Sequence, residues 1–244
     1  MPEGPSIIIL KEAIKQFAGK EVTAVSGNAK DFDYDRLLHK KVTAIKTWGK
    51  HTLICFNGFT VKIHLLMFGT YRINEEKDSQ VRLGLHFTNG YVNFYTCSVK
   101  LLEGNLDSIY DWTADIMNDD WDGKAALKKI KDRPEELICD SLMDQTIFSG
   151  LGNIIKNEIL FRVGIHPESK NGSIPPAKKK ELVKQARVYS FEFLDWKKEG
   201  TLKKHWLAHT KKTCPKCHQP LVKKSTGKGK RRSFFCEKDQ KKYD

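Results

Sequence analysis

The first residues of the chain carry a group that can act as a nucleophile. Removal of the initiator methionine from Met1-Pro2-Glu3-Gly4-Pro5 leaves Pro2 with a secondary amine at the N-terminus. An α-amino group has an unperturbed pKa of about 7.7–8.0, so part of it is neutral at physiological pH. Attack of this amine on the C1′ carbon of a sugar would give an iminium ion, an electron sink for later elimination, and the Glu3 carboxyl could move protons. The alternative is an ordinary Met-Pro start without chemistry.

The six cysteines fall into two groups. Three stand alone in apolar segments, which is typical of core residues; these are Cys55, Cys97 and Cys139. The others follow the spacing of a four-ligand zinc ribbon, with Cys214 and Cys217 as a C-x2-C pair and Cys236 after 18 intervening residues. Asp239 holds the fourth position, and His218 is the alternative fourth ligand. A ribbon without metal, or a disulfide between two of the cysteines, is the competing interpretation.

Positive charge is concentrated at the C-terminus. The formal net charge is +13, and residues 201–244 contribute +11 of it, from 14 Lys and Arg against 3 Asp and Glu. A field of this kind favours a polyanionic partner, with nucleic acid ahead of an anionic membrane surface. The sequence contains no apolar run of the ~20 residues that a membrane helix needs, and no basic and apolar signal-peptide regions at its start. We therefore expect a cytoplasmic protein.

The elements that must position these groups differ between the two halves of the chain. Helical spacing of apolar residues predicts an amphipathic helix over 6–17, directly after Pro2. From Val22 to about Leu102, short alternating runs rich in β-branched and aromatic residues predict strands of an antiparallel sandwich or barrel. One hairpin is predicted to turn at Asn89-Gly90, with the return strand from Tyr91.

After Asp111 the pattern becomes helical. Asp132 is predicted to cap one helix and Asn153 another that runs to about Val163. A long helix is predicted from about Pro176 to Lys198, ended by Gly200. The acidic segment 107–122 is the predicted domain boundary, and the Lys-rich stretch 223–232 is a predicted hairpin within the ribbon.

Motifs throughout the chain resemble those of the formamidopyrimidine-DNA glycosylase and endonuclease VIII family. They are the opening Pro2-Glu3-Gly4-Pro5, the turn Trp48-Gly49-Lys50, the segment from Leu142 to Ile154 with Glu158, and the segment from Arg231 to Cys236. The resemblance implies an α+β fold with three domains. These are an antiparallel β-sandwich with flanking helices (1–115), a helix-two-turn-helix domain (122–205) and a zinc-ribbon β-hairpin (206–244).

The resemblance also implies a bifunctional enzyme of base excision repair. Pro2 would attack C1′ of a flipped-out damaged nucleotide, expel the base and form a Schiff base, while Glu3 would protonate the opening sugar ring and then shuttle protons. Lys50 and Asn153 match family residues that bind phosphates, and Arg231 matches the arginine that grips phosphates around the lesion. Arg232, next to Arg231, could share that role.

Two further sets of residues match family positions. His64-Leu65-Leu66-Met67-Phe68-Gly69 aligns with the loop that fills the hole left by base flipping, so Leu66, Met67 and Phe68 are the predicted wedge. The alternative is that these apolar residues belong to the core. Glu158 matches an acidic family position near the catalytic pocket and is therefore predicted to be one of the DNA-contacting residues. The alternative is an ordinary surface charge of its helix.

Departures from the family pattern affect the expected substrate. Ser6 stands where many members carry Glu, and Asp239 replaces a zinc cysteine. Members specific for oxidised purines usually carry a longer loop than the connection 201–213, so the endonuclease VIII branch and oxidised pyrimidines are favoured. The alternatives are oxidised purines, bulky or crosslinked bases, and a DNA-binding protein without catalysis. The expected partner is double-stranded DNA with a damaged base or abasic site. The protein itself is expected to be a zinc-containing bacterial monomer associated with the nucleoid.

Overall fold

A computed structural model describes residues 2–244, which form two compact units divided between Tyr110 and Asp111. The division lies inside the acidic segment 107–122, a few residues before the predicted end at 115. The predicted helical domain (122–205) and zinc ribbon (206–244) belong to the same unit. None of the helices in the described part of the chain combines the length and apolar character of a transmembrane helix.

Unit 1, which ends at Tyr110, opens with a helix and continues as a single six-stranded antiparallel sheet. Helix α1 spans Gly4–Ile14 and a 3-10 turn follows at Lys15–Phe17. The strand order is β1-β5-β6-β4-β3-β2. The strands are β1 (Ala24–Ser26), β2 (Ala44–Trp48), β3 (His51–Cys55), β4 (Phe59–Ile73), β5 (Leu83–Phe87) and β6 (Gly90–Glu103).

The two long strands β4 and β6 connect the two layers of this sheet. Strand β3 pairs with the first half of β4, and β5 pairs with the first half of β6. Apolar side chains from both halves, such as Val61 and Leu85, share one buried cluster with α1. The predicted antiparallel sandwich is therefore confirmed. The β5–β6 hairpin turns at Thr88-Asn89, one residue earlier than predicted, because Gly90 already pairs with Phe87.

Unit 2, which starts at Asp111, combines helices with a two-stranded sheet. Its elements are α2 (Gly123–Lys131), α3 (Ile138–Ser141), α4 (Asn153–Val163), α5 (Pro176–Lys198), β7 (Val222–Thr226) and β8 (Arg231–Phe235). The long helix α5 has the predicted limits. The predicted capping role of Asp132 is wrong, because Asp132 ends α2 as its C-cap residue and the next four residues form turns.

Candidate functional site

The start of helix α1 fixes the positions of Pro2 and Glu3. Glu3 is the N-cap residue, with an extended backbone, and the Ser6 N–H donates to its carbonyl oxygen at 2.8 Å. Pro5 lies in the first helical turn, where its fixed φ angle suits the helix and its missing N–H costs little. Glu3 has an exposed fraction of only 3%, so its carboxyl group lies in a largely water-excluded site directly after the candidate amine.

Lys50 is placed by a tight hairpin. Trp48 pairs with His51, so Gly49 and Lys50 form a two-residue turn, and Gly49 takes the left-handed conformation (φ 53°) that such turns require. Lys50 is buried, with an exposed fraction of 8%. Its charge contributes to the electrostatics of the adjacent strands: together with burial, it lowers the pKa of His64.

Sequence reasoning missed an aromatic cluster beside this turn. Burial, followed by the charge of Lys62, lowers the pKa of His51 to about 4. The His51 Nδ1 atom lies 3.3 Å from the hydroxyl of Tyr110, and the Tyr110 ring lies 4.8 Å from the Trp48 ring. His51 also pairs across the strands with His64. A signal was available in the sequence, because two histidines on neighbouring predicted strands follow the Trp-Gly-Lys turn and the hairpin register brings them together.

The predicted wedge residues lie in a bulge of β4. Pairing between β4 and β6 is interrupted between Leu65 and Thr70, and Leu66, Met67 and Phe68 are exposed to 43%, 57% and 78%. These values contradict the alternative that the three side chains belong to the core. Because neighbouring exposed apolar side chains often belong to interaction sites, the bulge is a candidate binding surface.

Two backbone features shape this bulge. A Cβ atom on Gly69 would lie 2.8 Å from both the Leu66 nitrogen and the Thr96 carbonyl oxygen, so only glycine fits there. Opposite the bulge, Thr96 has a φ of 50°, a left-handed conformation that is costly for a β-branched residue. Strain of this kind persists where the surrounding structure imposes it, and it is common at ligand-contacting sites.

In unit 2, Asn153 starts helix α4 without being its cap. Gly152 occupies the N-cap position, and the predicted capping role of Asn153 is therefore wrong. The Asn153 side chain instead donates from Nδ2 to the carbonyl oxygen of Arg232, at 2.9 Å. This bond joins the beginning of α4 to strand β8, so that Asn153 lies beside the two candidate arginines.

Arg231 and Arg232 are the first two residues of β8 and both are exposed. Arg231 pairs with Thr226 across the hairpin. The strand therefore presents two guanidinium groups to solvent next to the N-terminus of α4. A helix N-terminus attracts anions through its N–H groups and dipole, so this arrangement suits a phosphate.

Glu158 has a different environment from the one predicted. It is fully buried, and its carboxylate oxygens accept the backbone N–H groups of Leu207, Ala208 and His209 at 2.7–3.0 Å. Burial raises the pKa of Glu158, and these three donors oppose the rise. The prediction that Glu158 contacts DNA is wrong, because its carboxylate is occupied and has no exposed surface. It anchors the connection after α5 instead.

The four predicted metal ligands form one cluster. The ligand atoms of Cys214, Cys217, Cys236 and Asp239 all lie within 4.8 Å of one another, and His218 is not a member. The Cys214 sulfur lies 3.0 Å and the Cys236 sulfur 3.3 Å from Asp239 Oδ2, and the sulfurs of Cys217 and Cys236 are 3.4 Å apart. These separations are a few tenths of an ångström shorter than the roughly 3.5–3.8 Å between the ligands of a tetrahedral zinc ion with Zn–S bonds of about 2.3 Å. Three thiolates and one carboxylate are nevertheless a donor set of the kind that zinc takes, so the residues fit zinc by their chemistry.

Comparison with known families decides the identity of the chain. The model of the formamidopyrimidine-DNA glycosylase N-terminal domain matches residues 1–100, and that of the formamidopyrimidine-DNA glycosylase H2TH domain matches residues 113–191. The chain belongs to the formamidopyrimidine-DNA glycosylase and endonuclease VIII family. The first match contains Pro2, Glu3, Lys50 and the bulge, and the second contains Asn153.

Curated relatives of this family carry endonuclease VIII names. Endonuclease 8-like 3 of Mus musculus is 29% identical over 90% of this chain and 38% of its own length. Endonuclease 8-like 2 of Bos taurus is 32% identical over 73% of this chain and 59% of its own length. The chain thus spans between about a third and three fifths of the length of the curated relatives that it matches.

Solved structures of the family share the fold over the whole chain. A viral DNA glycosylase is similar with a TM-score of 0.85 and 22% identity, covering 98% of this chain and all of that one. The Lactococcus lactis formamidopyrimidine-DNA glycosylase, bound non-covalently to DNA containing an abasic site, has a TM-score of 0.86 and 19% identity, with the same coverage. The expected fold is confirmed by these similarities.

Proposed function

We propose that the protein is a bifunctional DNA glycosylase and abasic-site lyase of base excision repair. Its family consists of DNA glycosylases with this lyase activity. The observation that carries the proposal is the Pro2-Glu3 pair at the start of α1, where an N-terminal secondary amine is followed by a buried carboxyl group. An ordinary Met-Pro start gives no reason to bury the next glutamate.

The proposed reaction uses the Pro2 nitrogen as nucleophile. Its lone pair forms a bond to C1′ as the bond between C1′ and the damaged base breaks, and the base leaves with a proton. Glu3 protonates the ring oxygen as the sugar opens, which gives an iminium ion. Loss of a proton from C2′ then expels the 3′ phosphate, and water releases Pro2 and the cleaved product. Proton transfers of this kind contribute about 10²–10⁴-fold to rates.

We assign the DNA contacts to both units. Lys50 of unit 1, and Asn153, Arg231 and Arg232 of unit 2, would bind backbone phosphates. Leu66, Met67 and Phe68 would fill the space left by the extruded nucleotide, which offsets part of the cost of unstacking. The exposure of these three side chains supports the last assignment.

Zinc would be held by Cys214, Cys217, Cys236 and Asp239. Its contribution is structural, because four protein ligands close the coordination shell and leave no position for a reacting group. Cys214 and Cys236, at the two ends of the ribbon, would then be joined through the same metal ion. The metal would thereby fix strand β8, which carries the two arginines.

Oxidised pyrimidines are the proposed lesion class. The curated relatives support it through their endonuclease 8-like names. The connection after α5 supports it too, because it is short and Glu158 fixes residues 207–209 through three hydrogen bonds. Oxidised purines and bulky or crosslinked bases remain the alternatives. These relatives are animal proteins, so the bacterial, nucleoid-associated location stays a prediction, as does the monomeric state.

Borohydride trapping tests the proposal. The protein, with Met1 removal verified by intact mass, is incubated with duplex DNA that contains either an abasic site or an oxidised pyrimidine. We expect a covalent complex on both DNAs and none with an N-terminally extended form, in which Pro2 is part of a peptide bond. Trapping on abasic DNA alone would show that the lesion class is wrong. No trapping on either DNA would favour a non-catalytic DNA-binding protein.

A further inference from the structure

Helix α4 contains three consecutive polar residues that are completely buried. Lys156, Asn157 and Glu158 have exposed fractions of 0%, 1% and 0%. Burying a polar group costs free energy unless the group is hydrogen-bonded, so each of these three residues requires a specific partner. Glu158 holds residues 207–209, as described above. The partners of the other two lie on strand β8.

Asn157 binds the backbone of β8 on both sides of Ser233. Its Nδ2 donates to the carbonyl oxygen of Arg232 at 3.3 Å, and its Oδ1 accepts the Phe234 N–H at 3.3 Å. A neighbouring strand would satisfy the same two backbone groups. The Asn157 side chain therefore takes the place of a strand on one side of β8, while β7 pairs on the other.

Lys156 adds a contact to the residue between these two. Its Nζ donates to the Ser233 hydroxyl oxygen at 2.8 Å, and Ser233 also shares a 2.6 Å hydrogen bond with Thr226 of β7. Together with the Asn153 bond to the Arg232 carbonyl oxygen, α4 contacts three consecutive residues of β8. We refer to Asn153, Lys156 and Asn157 as the α4 clip.

The hairpin needs such support because it is short. Strands β7 and β8 have five residues each, and an isolated two-stranded hairpin is marginally stable in water. The cysteine cluster holds the end of β8 at Cys236, but the arginines lie at the opposite end, next to the turn. The direction of the arginine side chains therefore depends on contacts in the middle of the strand.

We propose that Asn157 and Lys156 are positioning residues, which align Arg231 and Arg232 with Asn153 so that all three reach the same stretch of DNA backbone. The inference rests on the proposed function, since it assumes that these arginines bind phosphates. It predicts that Lys156 and Asn157 act on DNA affinity through the arginines and not through contacts of their own, because neither of these two residues is exposed.

A double-mutant cycle tests this coupling. The Kd for duplex DNA with a non-cleavable abasic analogue is measured for the full chain, Asn157→Ala, Arg231→Ala and the double variant. We expect each single substitution to weaken binding about tenfold, and the double variant to be no more than about twofold weaker than the worse single, because coupled residues are not additive. An additive loss of about 100-fold in the double variant would overturn the proposal.

Salt dependence provides a readout that general loosening of the fold would not move. We expect the slope of log Kobs against log[salt] to fall by about one in Arg231→Ala, which loses one phosphate contact. It should fall by about two in Asn157→Ala and in the double variant alike, because both arginines are displaced in each. An unchanged slope in Asn157→Ala with a reduced slope in Arg231→Ala would overturn the proposal while leaving the phosphate contact in place. No effect of Arg231→Ala on either quantity would show that the phosphate assignment itself is wrong.

Two further variants separate alignment from folding. Lys156→Met removes the Ser233 contact but keeps the length of an apolar side chain, a replacement that buried charges often tolerate. If Asn157→Ala loses its metal or its cooperative thermal transition, Lys156→Met takes its place in the double-mutant cycle. Glu168→Gln removes the exposed ion pair with Lys224 of β7, at 2.8 Å, and is the matched control. The effects of Glu168→Gln and Arg231→Ala on DNA affinity should be additive. If Glu168→Gln is coupled to Arg231→Ala as strongly as Asn157→Ala is, any loosening of the hairpin would weaken DNA binding, and the proposal would be wrong.

Discussion

The two units of this protein hold their candidate functional residues by different means. Of the twenty buried polar or charged residues in the described part of the chain, six lie in unit 1 and fourteen in unit 2, although the units are similar in length. In unit 1, Glu3 and Lys50 are placed by the backbone, at the start of a helix and in a hairpin turn. In unit 2, Asn153 and the arginines are placed by hydrogen bonds between side chains and distant backbone groups.

This difference determines which substitutions each unit tolerates. A buried polar group that loses its partner costs about 1–3 kcal/mol, so unit 2 should be sensitive to loss of single amides, hydroxyls and carboxylates. The Asn171 side chain, for example, bonds Ser141 and the Arg133 carbonyl oxygen. Unit 1 should depend more on its apolar cluster and on turn glycines such as Gly69. Four predictions test the comparison.

The largest effect is expected in the chemistry of unit 1. Glu3→Gln should slow base excision about 10²–10⁴-fold, because the carboxyl proton is lost, while affinity for DNA with an abasic analogue changes little. Single-turnover rates and binding are measured in parallel. Glu12→Gln, an exposed position on the same helix, is the control and should leave the rate unchanged. A Glu3→Gln variant that loses affinity but keeps its rate would place Glu3 among the binding residues.

The next effect concerns the metal cluster of unit 2. Asp239→Ala should lower zinc affinity at least about 100-fold, since loss of a direct ligand should cost no less than the 10–100-fold that outer-shell substitutions cost. Asp239→Cys should keep full occupancy, because four thiolates form a common structural set. Zinc content after dialysis against a chelator measures both. Full occupancy in Asp239→Ala would exclude Asp239 as a ligand.

An intermediate effect is expected at the bulge. Phe68→Ala should weaken binding to DNA that contains an abasic analogue by about 1–3 kcal/mol, the usual contribution of an aromatic ring stacked on a base. Because Phe68 is 78% exposed, the thermal unfolding midpoint should not change. Ile109→Ala removes another exposed apolar side chain of unit 1 and should affect neither quantity. If the two variants behave alike, the bulge has no special role.

The smallest effect is a dependence of the free energy of unfolding on pH, caused by the titration of one histidine in each unit. Burial lowers the pKa of His51 and of His209 to about 4. Such a group stabilises the fold above its unfolded pKa of about 6.5, and that contribution is lost as the pH falls from there towards 4. We expect about 1–2 kcal/mol for each, after allowing for partial exposure.

Chemical denaturation at several pH values checks this effect. His209→Asn should flatten the pH profile, because neutral His209 is bonded to Asn157 through its Nδ1 atom, at 3.1 Å, and the variant cannot titrate. His51→Gln should flatten it in the same range through unit 1. A profile that is as steep in both variants as in the unmodified protein would assign the acid sensitivity to other groups.

Local patterns predicted most of the fold. The limits of α5 agree with its apolar stripe and its glycine stop, and the period-two alternation identified the strands of the sandwich. The cysteine spacing identified the cluster, including Asp239. These features are decided by contacts among residues close in sequence or by fixed spacing, which a single chain displays directly.

The failures share a different physical cause. Asp132 and Asn153 are both good N-cap residues, but the first ends a helix and the second bonds a strand 79 positions away. Glu158 looks like a surface charge until residues 207–209 supply three donors. Lys156 and Asn157 gave no local signal at all. In each case the partner is chosen by tertiary structure, which local propensity does not contain.

The bulge in β4 also bears on how such a protein can diversify. Pairing between β4 and β6 stops at Leu65 and resumes at Thr70 opposite Tyr95. Leu66, Met67 and Phe68 therefore take no part in this pairing. Substitutions at these three positions should therefore cost little in folding, whereas a side chain at Gly69 would collide with neighbours at 2.8 Å. In such a scaffold the side chains that contact a ligand can change one at a time while the backbone of the sheet stays the same.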